Sequence, residues 1–379
     1  MYGLEAICRW AATGMAGSLL AIGAAASHAA SPVPDQLDAY GVLHSDGQYL
    51  GLRGNTLVYT LASPLFTDYA LKFRTITVPP GAKVGYQADG VLDFPIGTVI
   101  SKTFYYAKDP QKTGGWVKSA APAGERIDLG KYQLVETRIL QRVGDGNWLA
   151  NAYVWNDAQT SAALRRIGQA LPANLRDPAS NQTQSFHYAV PNARQCQTCH
   201  AVNATVGQAG IQPIGPTARH LNASYRYADA VHNQLDRLAQ LTTVEGLPAK
   251  TSERPSNVAY ADAKGAPLDQ RARAYLDINC AHCHHALGDA RQSGLFTTLQ
   301  ASGANLGLCK QHVAAGSGGA NMTYDIVPGK PAQSLLVHRM ESTSGQAMMP
   351  RVGRSLVDAE GLALIREWIS SLSGSCATH

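Results

Sequence analysis

Thr98-Val99-Ile100-Ser101-Lys102-Thr103-Phe104-Tyr105-Tyr106 is a run of β-branched and aromatic residues bounded by Pro95 and Gly97, the composition of a buried strand. The same signature recurs before it in Lys72-Phe73-Arg74-Thr75-Ile76-Thr77-Val78 and in Val91-Leu92-Asp93-Phe94, with Pro79-Pro80-Gly81 and Asp89-Gly90 as punctuation. After it, residues 134–143 and 148–155 face one another across Gly144-Asp145-Gly146-Asn147, which predicts a long hairpin. Residues 31–165 are therefore expected to form an all-β module, sandwich-like or barrel-like, with Trp116, Trp148 and Trp155 in its core.

The pattern changes beyond Trp155. Residues 158–170 read as a helix, and the Asn-, Pro-, Ser- and Gln-rich stretch up to residue 180 reads as a linker. The remainder, which carries Cys-x-x-Cys-His at 196–200 and again at 280–284, the attachment spacing of haem c, is expected to be mainly α, in two cytochrome c-like haem domains, 166–264 and 265–379. Helices are predicted over 228–241, from Pro267-Leu268-Asp269 into Cys280, and after an Asp358 cap with Leu362, Ile365, Ile369 and Leu372 at helical spacing.

Haem enters this expectation through two pentapeptides, Cys196-Gln197-Thr198-Cys199-His200 and Cys280-Ala281-His282-Cys283-His284. Cys-x-x-Cys-His is the attachment sequence of haem c. Each thiol adds across a haem vinyl group, and the adjacent histidine sits beneath the iron as its proximal ligand. The expected cofactors are two covalently attached haem c groups, on Cys196 and Cys199 with His200, and on Cys280 and Cys283 with His284. Zinc is the competing explanation, since Cys-x-x-Cys is also a zinc half-site and His282, His284 and His285 add ligands. A thioredoxin-like pair gives the following histidines no role.

Residues 1–30 carry Arg9, an apolar run from Ala11 to Ala26, and Ser27-His28-Ala29-Ala30 before Ser31-Pro32. This is the pattern of a secretory signal peptide, so the mature chain is expected in the periplasm and not as an integral membrane protein. Cys8 falls in that segment. With the four haem cysteines also set aside, Cys309 and Cys376 remain of the seven cysteines, and an even remainder in an oxidising compartment predicts a Cys309–Cys376 disulfide. Net charge is +5 and no dense lysine or arginine run occurs, so nucleic acid is not an expected partner. The expected partner is a redox protein.

The sixth iron ligand separates electron transfer from small-molecule chemistry. Six methionines occur and none lies between the motifs. Met349, in Gln346-Ala347-Met348-Met349-Pro350, is the expected distal ligand of the second haem, with Met348 the near alternative. For the first haem His187, His220, His232, Met322 and Met340 stay open, as does a five-coordinate iron. Ile214-Gly215-Pro216 either orients His200 through a carbonyl or is a plain turn.

The chain resembles a family of bacterial exported di-haem c-type cytochromes. The resemblance spans nearly the whole mature chain and is carried by Phe94-Pro95-Ile96-Gly97-Thr98 with Lys102-Thr103-Phe104, Tyr153-Val154-Trp155-Asn156-Asp157-Ala158-Gln159-Thr160, Pro213-Ile214-Gly215-Pro216, and Tyr324-Asp325-Ile326-Val327-Pro328-Gly329 with Met348-Met349-Pro350. It implies two covalent haems and no settled reaction. The leading expectation is periplasmic electron transfer. The alternatives are a haem enzyme, with peroxidase chemistry or substrate oxidation at an open first haem, and a redox- or gas-sensing interaction module.

Overall fold

The run at 98–106 lies in the central strand of the molecule. The computed structural model describes residues 33–144, 146–202, 210–313 and 316–376. Its principal sheet has nine strands: β1 (Thr56–Tyr59), β2 (Leu71–Thr77), β3 (Val99–Lys108), β4 (Trp116–Val117), β5 (Tyr132–Gly144), β6 (Asn147–Trp155), β7 (Ala162–Leu164), β8 (Gln169–Arg176) and β9 (Thr183–Val190). The path is β7-β6-β5-β3-β4-β8-β9, with β1 and β2 as a branch on β3. β3 carries both branches because it is long: its residues 99–105 pair with β2, whereas Ala107 and Lys108 pair with β4.

Side chains alternate between the two faces of a strand. One face packs Phe73, Val99, Tyr105, Ile139, Tyr153 and Trp155 into a core. Its polar members pair across the strands, Thr75 with Ser101 at 2.6 Å and Thr103 with Thr137 at 2.7 Å, and Trp155 Nε1 donates to Thr137 Oγ1 at 3.0 Å. The buried hydroxyls of Thr75, Ser101, Thr103 and Thr137 are thus partnered, as the low-dielectric interior requires. The opposite face is apolar on either side, with Ile76, Ile100 and Leu140 in one cluster and Phe104, Ala152 and Val154 in another.

The expectation of a β module followed by mainly α, cytochrome c-like haem domains is not met. Strand outweighs helix, 29% to 22%, and among the described residues several sheets accompany only six helices. The helices among the described residues are α1 (Ala193–His200), α2 (Ala218–Leu221), α3 (Gln234–Leu241), α4 (Leu268–Cys280), α5 (Leu335–Glu341) and α6 (Ala359–Ser371). Residues 158–170, read as a helix, instead turn the chain from β6 into β7 and β8. The Asn156 side chain takes the Thr160 N–H at 2.9 Å, and Gln159, at φ +60°, inserts its amide against Leu134, accepting from its N–H at 2.6 Å. Side-chain capture of backbone groups by Asn and Gln here overrides the helical preference of the alanines. The helix expected over 228–241 starts only at Gln234, where Asn233 caps it by accepting from Leu235 N–H at 3.0 Å. Residues 224–226 and 231–233 form a short hairpin ahead of it.

Long-range polar contacts bind the C-terminal segments to the sheet. In the loop between β1 and β2, Phe66 N–H donates to Asn279 Oδ1 on α4 at 2.8 Å. Asp68, 2% exposed, accepts from Ser355 and Leu356 N–H, both at 2.7 Å. Pro34–His379 accordingly forms one compact unit, in which β8 and β9 belong to the same sheet as β1–β7.

Helices α4 and α6 pack through Ala272, Tyr275, Leu276, Ile365, Trp368 and Ile369. Two hydrogen bonds lock them: Tyr275 OH to Asp358 Oδ2 at 3.0 Å and Trp368 Nε1 to Asp269 Oδ1 at 2.8 Å. Asp358 also caps α6 by accepting from Gly361 N–H at 2.9 Å. Cys309 and Cys376 are joined by a disulfide with their Cα atoms 5.1 Å apart, which ties the segment after α6 back across 67 residues. Among the described residues no helix is long and apolar enough to cross a membrane. The signal peptide expected at residues 1–30 lies outside the described residues.

Candidate functional site

The first Cys-x-x-Cys-His occupies α1. Asn192 and Gln195 start that helix with a reciprocal capping box, Gln195 N–H to Asn192 Oδ1 at 2.9 Å and Asn192 N–H to Gln195 Oε1 at 3.0 Å. The helix carries Cys196 and Cys199 and ends on His200. The second motif begins as α4 ends. Cys283 and His284 donate their N–H groups to Cys280 O at 3.1 and 2.9 Å, which winds the pentapeptide into one further turn.

The two histidines are held alike. His200 Nδ1 lies 2.7 Å from Gln212 O, twelve residues on, and His284 Nδ1 lies 3.2 Å from Leu295 O, eleven residues on. A carbonyl oxygen can only accept, so each Nδ1 carries the proton and each Nε2 keeps its lone pair for a metal. Burial, with Lys102 adding, lowers His200 to about 4, against the Gln212 bond. Burial lowers His284 to about 4, against the Leu295 bond. Both imidazoles are therefore neutral near pH 7, the protonation state of an iron or zinc ligand. Pro213-Ile214-Gly215-Pro216 does not supply the acceptor for His200. Gln212, immediately before it, does, while Pro216 O accepts from Leu92 N–H at 3.2 Å.

Tertiary structure brings the motifs together. The Cys283 thiol donates to Thr198 O at 3.2 Å. The ligating atoms of Cys199, His282 and Cys283 all lie within 4.8 Å of one another. The hydrogen bond with Cys283 holds the Cys199 thiol below its ordinary range, with His282 helping and burial opposing; the Cys283 thiol is pushed up correspondingly. Burial alone dominates at Cys280, whose thiol rises to about 12, and at Cys196. Each motif supplies two thiols and one neutral imidazole with a free Nε2, so the donor set and the tautomers fit haem c at both.

Met349 is held by its backbone. Its N–H donates to Arg339 O at 3.0 Å, and its carbonyl accepts from Arg354 Nε and Nη2 at 3.1 and 2.8 Å. Arg354, 6% exposed, also donates to the carbonyls of Met340, Ser342 and Leu356. A buried guanidinium satisfied by carbonyl oxygens in this way fixes the loop around Met348 and Met349. Nothing in the local sequence marked Arg354 for that role.

The candidates for the first distal ligand are dispersed. His187 is exposed on β9. His232 Nε2 is 3.4 Å from Asp229 Oδ2. His220 is buried with Asn257 Nδ2 3.4 Å from its Nε2. Met340 is in the core between α5 and α6, and Met322 is half-buried with its carbonyl accepting from His312 Nε2 at 2.8 Å.

Comparison with protein-family models, with curated proteins and with solved structures finds no match.

Proposed function

We propose that this protein is an exported di-haem c-type cytochrome that transfers electrons with a redox protein partner. Cys196 and Cys199 with His200 would hold one haem c, and Cys280 and Cys283 with His284 the other. Haem c supplies a one-electron iron couple whose potential its axial ligands and surroundings set. The observation that carries the reading is the matched treatment of the two histidines, each with Nδ1 bonded to a carbonyl eleven or twelve residues downstream and Nε2 left for a metal. A second observation supports transfer between the sites. The ligating atoms of Cys199 and Cys283, one from each motif, lie within 4.8 Å although the motifs are far apart in the chain.

In this reading the sheet and its loops form the scaffold that presses the two motifs together, and Arg354 sets the loop that offers Met349 to the second iron. Pyridine haemochrome analysis of protein secreted with a haem-ligation system tests it. Two covalently retained haems per chain, resistant to acid-acetone extraction, are expected; none would overturn it.

One observation favours a second reading. Cys199, His282 and Cys283 already cluster, and His282 Nδ1 is buried with no hydrogen-bond partner, which is how three ligands of a zinc site are arranged. That reading leaves His200, His284, Cys196 and Cys280 without a role. Zinc at one equivalent with no haem absorption would establish it in place of the first.

A further inference from the structure

The sheet face that carries the second set of clusters has an unusual interruption. Arg74 on β2 is directly opposite Lys102 on β3, and Lys102 is directly opposite Arg138 on β5, so three cations form one row across three adjacent strands. Lys72, two residues before Arg74 on the same face, adds a fourth. Like charges directly opposite in a sheet repel. Here the repulsion is poorly screened, because Arg74 is buried and the other three are half-buried.

Carboxylates do not resolve it. Among the described residues Glu136 is the one acid within the row's own face; its Oε1 is taken by Arg138 Nε and Nη2 at 3.1 and 2.6 Å and by the Tyr188 hydroxyl at 2.7 Å, and its buried Oε2, without a hydrogen-bond partner, leaves a single carboxylate against four cations. Among the described residues Arg138 is the member of the four with a carboxylate partner within 4 Å. Asp68 and Asp358 act on Lys72 only from a distance, and both are engaged elsewhere by backbone N–H groups. Lys102 and Arg138 instead lie over the Phe104 ring, 5.2 and 4.3 Å from its centre.

The end of the row that carries Lys102 and Arg138 faces the first motif. Lys102 acts electrostatically on His200 and on Cys199, and Arg138 on Cys196. Burial, reinforced by Arg138 and Arg74 and opposed more weakly by Glu136 and Cys199, pushes Lys102 down to about 7.

We propose that Lys72, Arg74 and Lys102 form the seat of a carboxylate-class anion beside the first Cys-x-x-Cys-His motif. Guanidinium and ammonium groups side by side on one sheet face are the recognition chemistry of carboxylates and similar oxyanions. The anion has two possible sources, the propionate groups of a haem on Cys196 and Cys199, or a free organic acid. The first rests on the haem reading above; the second does not.

The test uses the full exported chain with Lys102→Met and, separately, Lys72→Met, both half-buried positions that Met fills. Haem content is measured first, so that failure of the haem reading is recognised by itself. With propionates in the seat, spectroelectrochemical titration shows one of two reduction potentials lowered in the variants and the other unmoved, since removing a cation favours the more positive ferric state. With a free acid in the seat, acetate raises the thermal midpoint of the unsubstituted protein saturably, with or without haem, and binds the variants about tenfold more weakly or worse. Potentials and acetate response identical in all three proteins would overturn the proposal.

Discussion

Gly361→Ala probes the contact that seats α4, and with it the second motif. A Cβ at Gly361 would lie 2.3 Å from Cε2 and 2.4 Å from Cζ and Oη of Tyr275, so the ring must move by about 1 Å to reach ordinary contact. Tyr275 lies in α4, where it is 4% exposed, and its hydroxyl bonds to Asp358, the cap of α6. Forced overpacking costs about 1–3 kcal/mol. Loss of a hydrogen bond to a charged group costs about 1.5–3 kcal/mol. Alanine returns up to about 1 kcal/mol of helix propensity, leaving a net destabilisation of about 2–5 kcal/mol. At an unfolding entropy of about 2.1 cal/mol/K per residue, a unit the size of Pro34–His379 loses about 1.4 °C of midpoint per kcal/mol, so the Tm should fall by about 3–7 °C. Differential scanning calorimetry of the purified protein reads it. In a Tyr275→Ala background the same substitution should be neutral or slightly stabilising, because the clash is gone. An unchanged or raised midpoint for Gly361→Ala alone would refute the packing argument.

Met349→Ala should abolish any methionine-to-iron charge-transfer band at the red end of the ferric spectrum, and persistence of that band would rule Met349 out. His220 is 1% exposed, and burial, then Arg219 and Arg74, lowers it to about 3. The unfolded chain therefore takes up the proton first as pH falls, so this stability is present above about pH 6.5 and is lost towards pH 3; the loss between pH 6.5 and 4.5 is about 2 kcal/mol. Urea titrations of His220→Gln should show a correspondingly shallower pH dependence, and slopes equal to those of the unsubstituted protein would contradict this. Cys376→Ser opens a loop of 67 residues, for which chain entropy gives a loss of about 4 kcal/mol as an upper figure. Alkylation without reduction should label neither Cys309 nor Cys376 in the unsubstituted protein and Cys309 alone in the variant.

The candidate site was legible in the sequence as a set of residues, because Cys-x-x-Cys-His is a local spacing that survives any fold. Strand positions in the N-terminal half were legible for the same kind of reason: the runs at 72–78 and 98–106 and the hairpin around residue 145 have the composition of buried strands, and β2, β3, β5 and β6 occupy them. The ends of α4 and α6 were marked by Pro267 and Asp358. The fold class was not legible. Ala158–Ala170 looks helical by propensity, yet Asn156 captures the Thr160 N–H and Gln159 that of Leu134, a partner known only once β5 is in place.

By itself, then, the sequence determined which residues carry the two Cys-x-x-Cys-His spacings, where the strongest strands run and which two cysteines remain to pair. Only the tertiary structure decided that Cys199 meets Cys283 and His282, that Gln212 and Leu295 orient the two histidines, and that Arg74, Lys102 and Arg138 align. Those relations depend on strand register and on the packing of segments far apart in the chain. A shift of one residue in β3 would turn Lys102 to the other face, and no local spacing encodes that choice.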